Sequence, residues 1–240
     1  MRVAILSDIH ANLPALQAVL AALAPYDAVW HLGDVVGYGP EPDAVIERLR
    51  AEEALGVCGN HEAAALGRIE TSWFNDDARV AIEWTALRLS AASRAWLAAL
   101  PLKREVAGFT LVHGSPRDPI WEYVASAAVA RANLELLPTA HGFIGHTHDP
   151  RVFRESDGRL ESLVPRAGGE LRLDGRRSLL NPGSVGQPRD GDPRAGAAIL
   201  DTEEGTVSWH RVAYDVTVTQ GRMRAAGLPP RLVSRLALGI

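Results

Sequence analysis

Residues 3–6 form a short apolar run that stops at Ser7 and Asp8, and Leu13, Leu16, Leu20 and Leu23 then recur on one helical face. The pattern predicts strand, loop and helix, with Asn12 as the helix N-cap just ahead of Pro14. It repeats at once: residues 28–32 are apolar and end at Gly33 and Asp34, and a helix is expected from about 41 to 55, started by Pro42. A third short run, 56–58, ends at Gly59 and Asn60. Strands alternating with helices of this length imply right-handed crossovers and a largely parallel sheet, with functional loops at the carboxyl ends of its strands.

Residues 62–100 read as helical, with Ser93 as an N-cap and Pro101 as a stop, and 109–112 as a strand ending at His113 and Gly114. A helix over 126–137 follows. Beyond residue 142 the pattern shifts to short strands at 143–145, 151–155, 179–180, 197–200 and 206–213, separated by Gly or Pro, which predicts a second sheet from this half. The tail reads as helix over 216–226 and again after Pro229 and Pro230, where Leu232, Val233, Leu236 and Leu238 form a stripe suited to the core.

A chain of 240 residues with 47% hydrophobic and 22% charged residues has globular composition, and one domain over residues 1–240 is expected. The longest apolar stretch, 13–24, carries Pro14 and Gln17 and falls short of the roughly 20 residues of a membrane span. Four apolar residues after Met1 and Arg2 are too few for a signal peptide, so a cytoplasmic location and no membrane partner are expected. Twenty-five basic against 29 acidic residues give a net charge of −4, which argues against nucleic acid and for small or neutral partners. The one cysteine, Cys58, excludes an internal disulfide and a thiolate zinc site and fits a small buried residue.

Against that background, Asp, Asn and His recur where strands end: Asp8 and His10, Asp34, Asn60 and His61, His113, and His146 with His148. In an extended segment residues i and i+2 face the same side, so Asp8 with His10, and His146 with His148, can each aim two ligands at one place. Imidazole nitrogen mixed with carboxylate oxygen suits borderline divalent ions such as Mn, Fe, Zn or Ni. These candidate ligands outnumber what one tetrahedral ion takes from protein while keeping an open position, so two ions are expected, joined by a carboxylate bridge.

Five motifs carry a resemblance to the calcineurin-like metallophosphoesterases: Asp8-Ile9-His10, Gly33-Asp34-Val35-Val36-Gly37, Gly59-Asn60-His61-Glu62, Val112-His113-Gly114 and Gly145-His146-Thr147-His148, in the family's order. Asn181-Pro182-Gly183-Ser184 and the 188–195 loop resemble the compact bacterial phosphodiesterase branch. The resemblance implies an α/β fold, a four-layer α/β/β/α sandwich of two mixed sheets flanked by helices. It implies Asp8, His10, Asp34 and His148 around one divalent metal and Asp34, Asn60, His113 and His146 around the other, with manganese the favoured ion. Asp34 would be the bridge. A hydroxide between the metals would attack the phosphorus of a small phosphodiester, with His61 facing the substrate as proton donor. Val36-Gly37-Tyr38 stands where the protein phosphatases of the superfamily carry Asp-Arg-Gly, which argues against that activity. A phosphomonoesterase or nucleotidase, a metal-binding scaffold and a nuclease are the alternatives.

Tyr38, Arg117, Trp121, Arg189 and Arg194 lie in Gly/Pro-rich loops that can border the site, the arginines as phosphate clamps. His31, His141 and His210 match no motif and read as structural histidines with satisfied nitrogens.

Overall fold

The computed structural model describes residues 1–156 and 158–240. Two six-stranded sheets lie face to face with helices outside, the four-layer α/β/β/α arrangement. The first sheet has the order β3(Leu55–Gly56), β2(Ala28–His31), β1(Arg2–Leu6), β11(Ala195–Asp201), β12(Thr206–Val212), β9(Glu170–Arg172). The second has the order β4(Lys103–Val106), β5(Phe109–Val112), β6(His141–Phe143), β10(Ser178–Asn181), β7(Arg151–Ser156), β8(Arg159–Leu163).

Strand β1 shows how the layers arise. Its alternate residues Ala4 and Leu6 pack on the helices α1(Leu13–Leu23) and α2(Pro42–Ala51), whereas Val3 and Ile5 face Phe109, Leu111, Phe143 and Leu180 of the other sheet. Both faces are buried, so the strand reads as a continuous apolar run rather than an alternation. Outside the second sheet, α6(Ala127–Leu134) covers Phe153, Ile144 and Leu179 through Ala130 and Leu134.

Both sheets are mixed, as the resemblance implies, and not largely parallel as the alternation of strands and helices alone suggests: β1, β2 and β3 run parallel, as do β5, β6 and β10, but β11 joins β1 antiparallel and carries β12 and β9 with it. Nor does each half of the chain build its own sheet. Strands β9, β11 and β12 from the second half complete the first sheet, while β4 and β5 from the first half open the second.

The stretch 62–100 is also not one helical region. It divides into α3(Asn60–Ala65), a single 3₁₀ turn over Thr71–Trp73, α4(Asp76–Arg88) and α5(Ala91–Ala98). Asn75 caps α4 by accepting from the Ala78 N–H, and Ser90, not Ser93, caps α5, its hydroxyl accepting from Ser93 N at 3.1 Å. The tail forms α7(Val216–Ala225) and α8(Pro230–Arg235), whose Leu232, Val233 and Leu236 pack with Ala78 and Ala81 of α4 and with Tyr38. That contact brings the end of α8 beside the functional loops. No helix among the described residues is long and apolar enough to cross a membrane.

Candidate metal centre

Every sequence-singled ligand follows the carboxyl end of a parallel strand: Asp8 and His10 after β1, Asp34 after β2, Asn60 after β3, His113 after β5, and His146 and His148 after β6. The i, i+2 pairs converge, but not by strand pleat. Asp8, His10, Asp34, Tyr38, His146 and His148 all have positive φ, between 49° and 66°. Left-handed backbone costs a non-glycine residue of order 1–3 kcal/mol, and clustering at one place marks a site held by its surroundings.

Those surroundings are a cross-braced set of loops. His10 N donates to Asp34 O at 2.9 Å and Ala11 N to Val35 O at 2.8 Å, tying the first two loops together. Ser184 Oγ and Gly186 N both donate to Asp8 O, and Asn181 Nδ2 donates to Gly145 O and Thr147 Oγ1, so the Asn181–Ser184 segment fastens both ligand loops. Asn12 caps α1 as expected and also donates to Gly186 O and to the Tyr214 hydroxyl. Glu62 is fully buried, and its carboxylate accepts from the backbone N–H groups of Asp34, Val36 and Gly59 at 2.8–3.0 Å. It therefore fixes the Asp34 loop to the start of α3. Burial and the nearby Asp34 push the Glu62 carboxyl up to about 7. Gly59 is required at this junction, because an added Cβ would lie 2.2 Å from Asp34 Oδ1.

The donor atoms fall into two groups that share Asp34: Asp8, His10, Asp34 and His148, and Asp34, His113 and His146, each group's atoms within 4.8 Å of one another. Asn60 Oδ1 joins the second, 3.0 Å from His113 Nε2. Asp34 Oδ1 is occupied by the His61 N–H, while Oδ2 lies 3.4 Å from His113 Nε2 and 3.8 Å from His10 Nε2. One carboxylate oxygen thus borders both groups.

Hydrogen-bond bookkeeping tests whether these residues suit a cation. His10 Nδ1 lies 3.1 Å from Val36 O and His148 Nδ1 2.5 Å from Gln187 O, so each Nδ1 carries the proton and each Nε2 a lone pair. Those two lone pairs face each other at 3.2 Å. His113 repeats the arrangement: Nδ1 donates to Leu32 O, while Nε2 faces Asn60 Oδ1, Asp34 Oδ2 and His146 Nδ1. Buried Asp8 Oδ1 and His146 Nε2 have no hydrogen-bond partner among the described residues. Acceptors facing acceptors in a buried space are repulsive unless a cation sits among them, so the donor set fits divalent metal. The electrostatics agree. Burial holds His10 and His148 well below the ordinary imidazole range and His146 down at about 3, keeping them in the neutral ligating form. Burial raises Asp8 to about 6, and although it acts the same way on Asp34, the His113, His61 and His10 rings hold Asp34 well below the carboxylate range. His113 is the exception: burial would lower it, but Asp34, Asp8 and Glu62 lift it to about 9, which marks where positive charge is wanted.

A cavity of about 260 Å³ opens over this floor. His61 lines it, its ring 4.5 Å from Tyr38 and 5.3 Å from Phe74, with Nδ1 buried and unpartnered. Burial lowers its imidazole to about 4, so the ring reaching the cavity at neutral pH is neutral. Tyr38, Trp121 and Arg189 also line it, Arg189 bonding to Gln187 Oε1 and lying 5.9 Å over the Tyr38 ring. Arg117 and Arg194, expected at the substrate, are not among its lining residues. Neighbouring carboxylates capture them: Glu122 pairs with Arg117, and Asp192 with Arg194 at 2.6 Å. Of the histidines read as structural, His141 and His210 bond to Ser178 and Ser208, while buried His31 leaves Nε2 unpartnered.

Sequence reasoning missed Trp73, Phe74, Tyr123 and Arg235, which complete the cavity wall. The first two lay hidden in a stretch read as helix, although Gly67 and the cap signal Asn75-Asp76-Asp77 mark a break there. A larger concavity of about 760 Å³ beside α8 shares Asn75 and Arg235 with this one, but among the described residues the ligating clusters border only the smaller cavity.

Comparison with known proteins fits this geometry. The calcineurin-like phosphoesterase superfamily domain matches residues 1–205. An uncharacterized protein of Methanocaldococcus jannaschii is 36% identical over 246 aligned residues, covering 99% of this chain and 98% of its own. The crystal structure of a metallophosphoesterase from Sphaerobacter thermophilus superposes with a TM-score of 0.92 at 44% identity, covering 100% of this chain and 99% of that one. A hypothetical protein from Pyrococcus horikoshii shares the fold at a TM-score of 0.78 and 21% identity, covering 100% and 98% of the two chains. Matching over most of its length, and carrying clustered His and Asp side chains able to bind metal, the chain belongs to the calcineurin-like phosphoesterase superfamily.

Proposed function

We propose that this chain hydrolyses a small phosphodiester at a dinuclear centre, with Asp8, His10, Asp34 and His148 around one divalent ion and Asp34, Asn60, His113 and His146 around the other. The observation that carries the reading is the Asp34 carboxylate standing between two sets of lone-pair donors. Bound there, two ions would supply positive charge for the phosphoryl oxygens and a water activated as nucleophile. Mixed imidazole and carboxylate ligation favours manganese, with iron, zinc or nickel as close competitors.

The chain's own residues divide the remaining work. Arg189 makes no ion pair among the described residues and so keeps its guanidinium for a phosphoryl oxygen. His61 faces the reacting phosphorus from the cavity wall, placed to hydrogen-bond the phosphoryl group or to protonate the leaving oxygen. A second ester substituent needs room beyond the phosphorus, and the aromatic end of the cavity provides it, which supports a diester over a monoester.

The test is to strip metal with a chelator, count ions rebound per chain by mass spectrometry, and compare bis(p-nitrophenyl) phosphate with p-nitrophenyl phosphate. Two Mn²⁺ per chain, activity restored at least as well as by Mg²⁺, and faster diester hydrolysis are expected. A single ion per chain, or a faster monoester, overturns the reading.

A further inference from the structure

The cavity over the metal-ligating floor is walled on one side by aromatic rings for which the hydrolysis itself has no use. Trp73 and Phe74 come from the segment between α3 and α4, and Trp121 and Tyr123 from the loop after β5. Trp73 and Trp121 lie stacked with ring centres 6.0 Å apart and planes 28° apart, and Phe74 meets Trp121 edge-on at 5.1 Å. Tyr123 lies flat on His146, 3.9 Å away at 13°. The series Phe74, Trp121, Trp73 therefore begins beside the His61 ring, 5.3 Å from Phe74, and ends in solvent at Trp73, while Tyr123 caps His146.

Packing does not account for it. Trp73 is 74% exposed and Tyr123 50%, and neither contributes to a hydrophobic core cluster among the described residues. An indole and a phenol left open at the mouth of a polar cavity expose apolar surface that folding alone would cover. The rest of the lining says what the surface suits. Its one aliphatic residue is Ala78, while Arg189, Arg235 and Asn75 supply polar groups, Asn75 with its oxygen committed to capping α4 and its amide nitrogen left as a donor. An acyl or alkyl chain would call for Leu, Ile or Val. Flat rings beside guanidinium groups suit a flat polar ring attached to a phosphate.

We infer that the phosphoester this site takes carries a nucleoside, whose base stacks on the Trp73–Trp121–Tyr123 wall while its phosphate lies over Asp34 and His61. The inference rests on the phosphodiesterase reading above and names its substrate class. The wall offers ring faces and few hydrogen-bonding edges, so any base serves, purines better for their larger face. The partner is a mononucleotide ester rather than a polynucleotide, since a net charge of −4 does not draw a polyanionic strand to the chain.

The test uses the metal-loaded protein and two esters with the same leaving group, adenosine 5′-(p-nitrophenyl phosphate) and methyl p-nitrophenyl phosphate. Base–aromatic stacking of ordinary strength makes kcat/KM for the adenosine ester roughly 5- to 100-fold higher. Trp73→Ala and Trp121→Ala each bring that ratio towards one, and Trp73→Tyr restores most of it. Calorimetry with AMP and ribose 5-phosphate reads the same preference without turnover, AMP binding tighter by a similar factor. If neither ester is hydrolysed but AMP still binds better through Trp73, the hydrolase reading fails and the base site stands. If both esters are hydrolysed at one rate and AMP binds no better than ribose 5-phosphate, the base site is overturned and the hydrolase stands. A hexyl ester preferred over the adenosine ester overturns it equally, by showing an aliphatic occupant.

Discussion

The floor of the cavity and its wall are built by opposite means. On the floor, Asp8, His10, Asp34, His113, His146 and His148 are all at most 3% exposed, sit mostly in left-handed backbone, and are braced by hydrogen bonds between loops of both sheets. On the wall, Trp73, Tyr123 and Arg235 come from a turn, a loop and a helix end, with Trp73 stacked on Trp121 and Tyr123 on His146. Rigid placement suits groups that must meet cations within tenths of an ångström, and a looser wall suits a part of the substrate that only needs a surface. A change on the floor should therefore remove function outright, and a change on the wall should retune it.

The largest effect is expected at Asp34. Asp34→Asn keeps the size of the side chain but removes the charge shared by both groups of donors, so metal content should fall at both positions. Activity should drop by more than the roughly 10²- to 10³-fold that one lost electrostatic contact costs. Mass spectrometry of the purified variant checks this, and two retained ions with most of the rate would erase the contrast between floor and wall.

His61 stands where the two regions meet, against Phe74 on one side and 3.9 Å from Asp34 on the other. His61→Asn should leave metal content intact and lower the rate by about 10²- to 10⁴-fold on esters with an alkoxide leaving group. A nitrophenolate leaves without a proton, so a proton-donating His61 matters less there. A neutral ring that only hydrogen-bonds the phosphoryl group, the form favoured by its lowered pKa, gives equal losses on both kinds of ester. Measuring kcat/KM on one of each separates the two roles.

Glu62 tests whether the bracing itself matters. Glu62→Gln puts an NH₂ where a carboxylate oxygen accepts backbone N–H groups, leaving buried donors facing a donor. Losing such support beneath a ligand typically costs 10- to 100-fold in metal affinity or activity. A lowered melting temperature in the metal-free variant should accompany it, and unchanged metal affinity would show that the Asp34 loop holds itself.

The same contrast governs what the sequence made legible. Asp8 and His10, or His146 and His148, are two residues apart, and their loops follow apolar strands that announce themselves, so the floor could be read locally. Even there the reason was misjudged, since the pairs converge through left-handed turns rather than an extended pleat. The mixed sheets follow from the resemblance and not from local periodicity, because β11 pairs with β1 across nearly two hundred residues, a partnership no local pattern records. The wall was hardest for a related reason. Arg117, Arg189 and Arg194 are alike in sequence context, and only the fold reveals that Glu122 and Asp192 occupy two of them. Arg235, more than 170 residues from His61, reaches the cavity because Leu232, Val233 and Leu236 dock α8 on α4.

Arg235 also gives the smallest and most discriminating prediction. Its Nε donates to the Ile240 carbonyl, and the guanidinium borders the cavity beside Arg189, whose charge together with burial lowers the Arg235 pKa. Among the described residues neither guanidinium forms an ion pair with an Asp or Glu side chain, and two such cations held near one another suit an anion. Arg235→Met keeps the apolar stem against α4 while removing the charge. If the guanidinium meets the substrate phosphate outside the reacting geometry, KM should rise by about tenfold, the worth of one charge-assisted hydrogen bond in a half-exposed place, with kcat almost unchanged. The rise should shrink in high salt, because a screened charge has less to lose. If Arg235 merely ties down the Ile240 turn, the melting temperature falls instead and KM holds. A fall in kcat as large as that of His61→Asn would move Arg235 from the wall to the floor, and the division between the two regions would have to be redrawn.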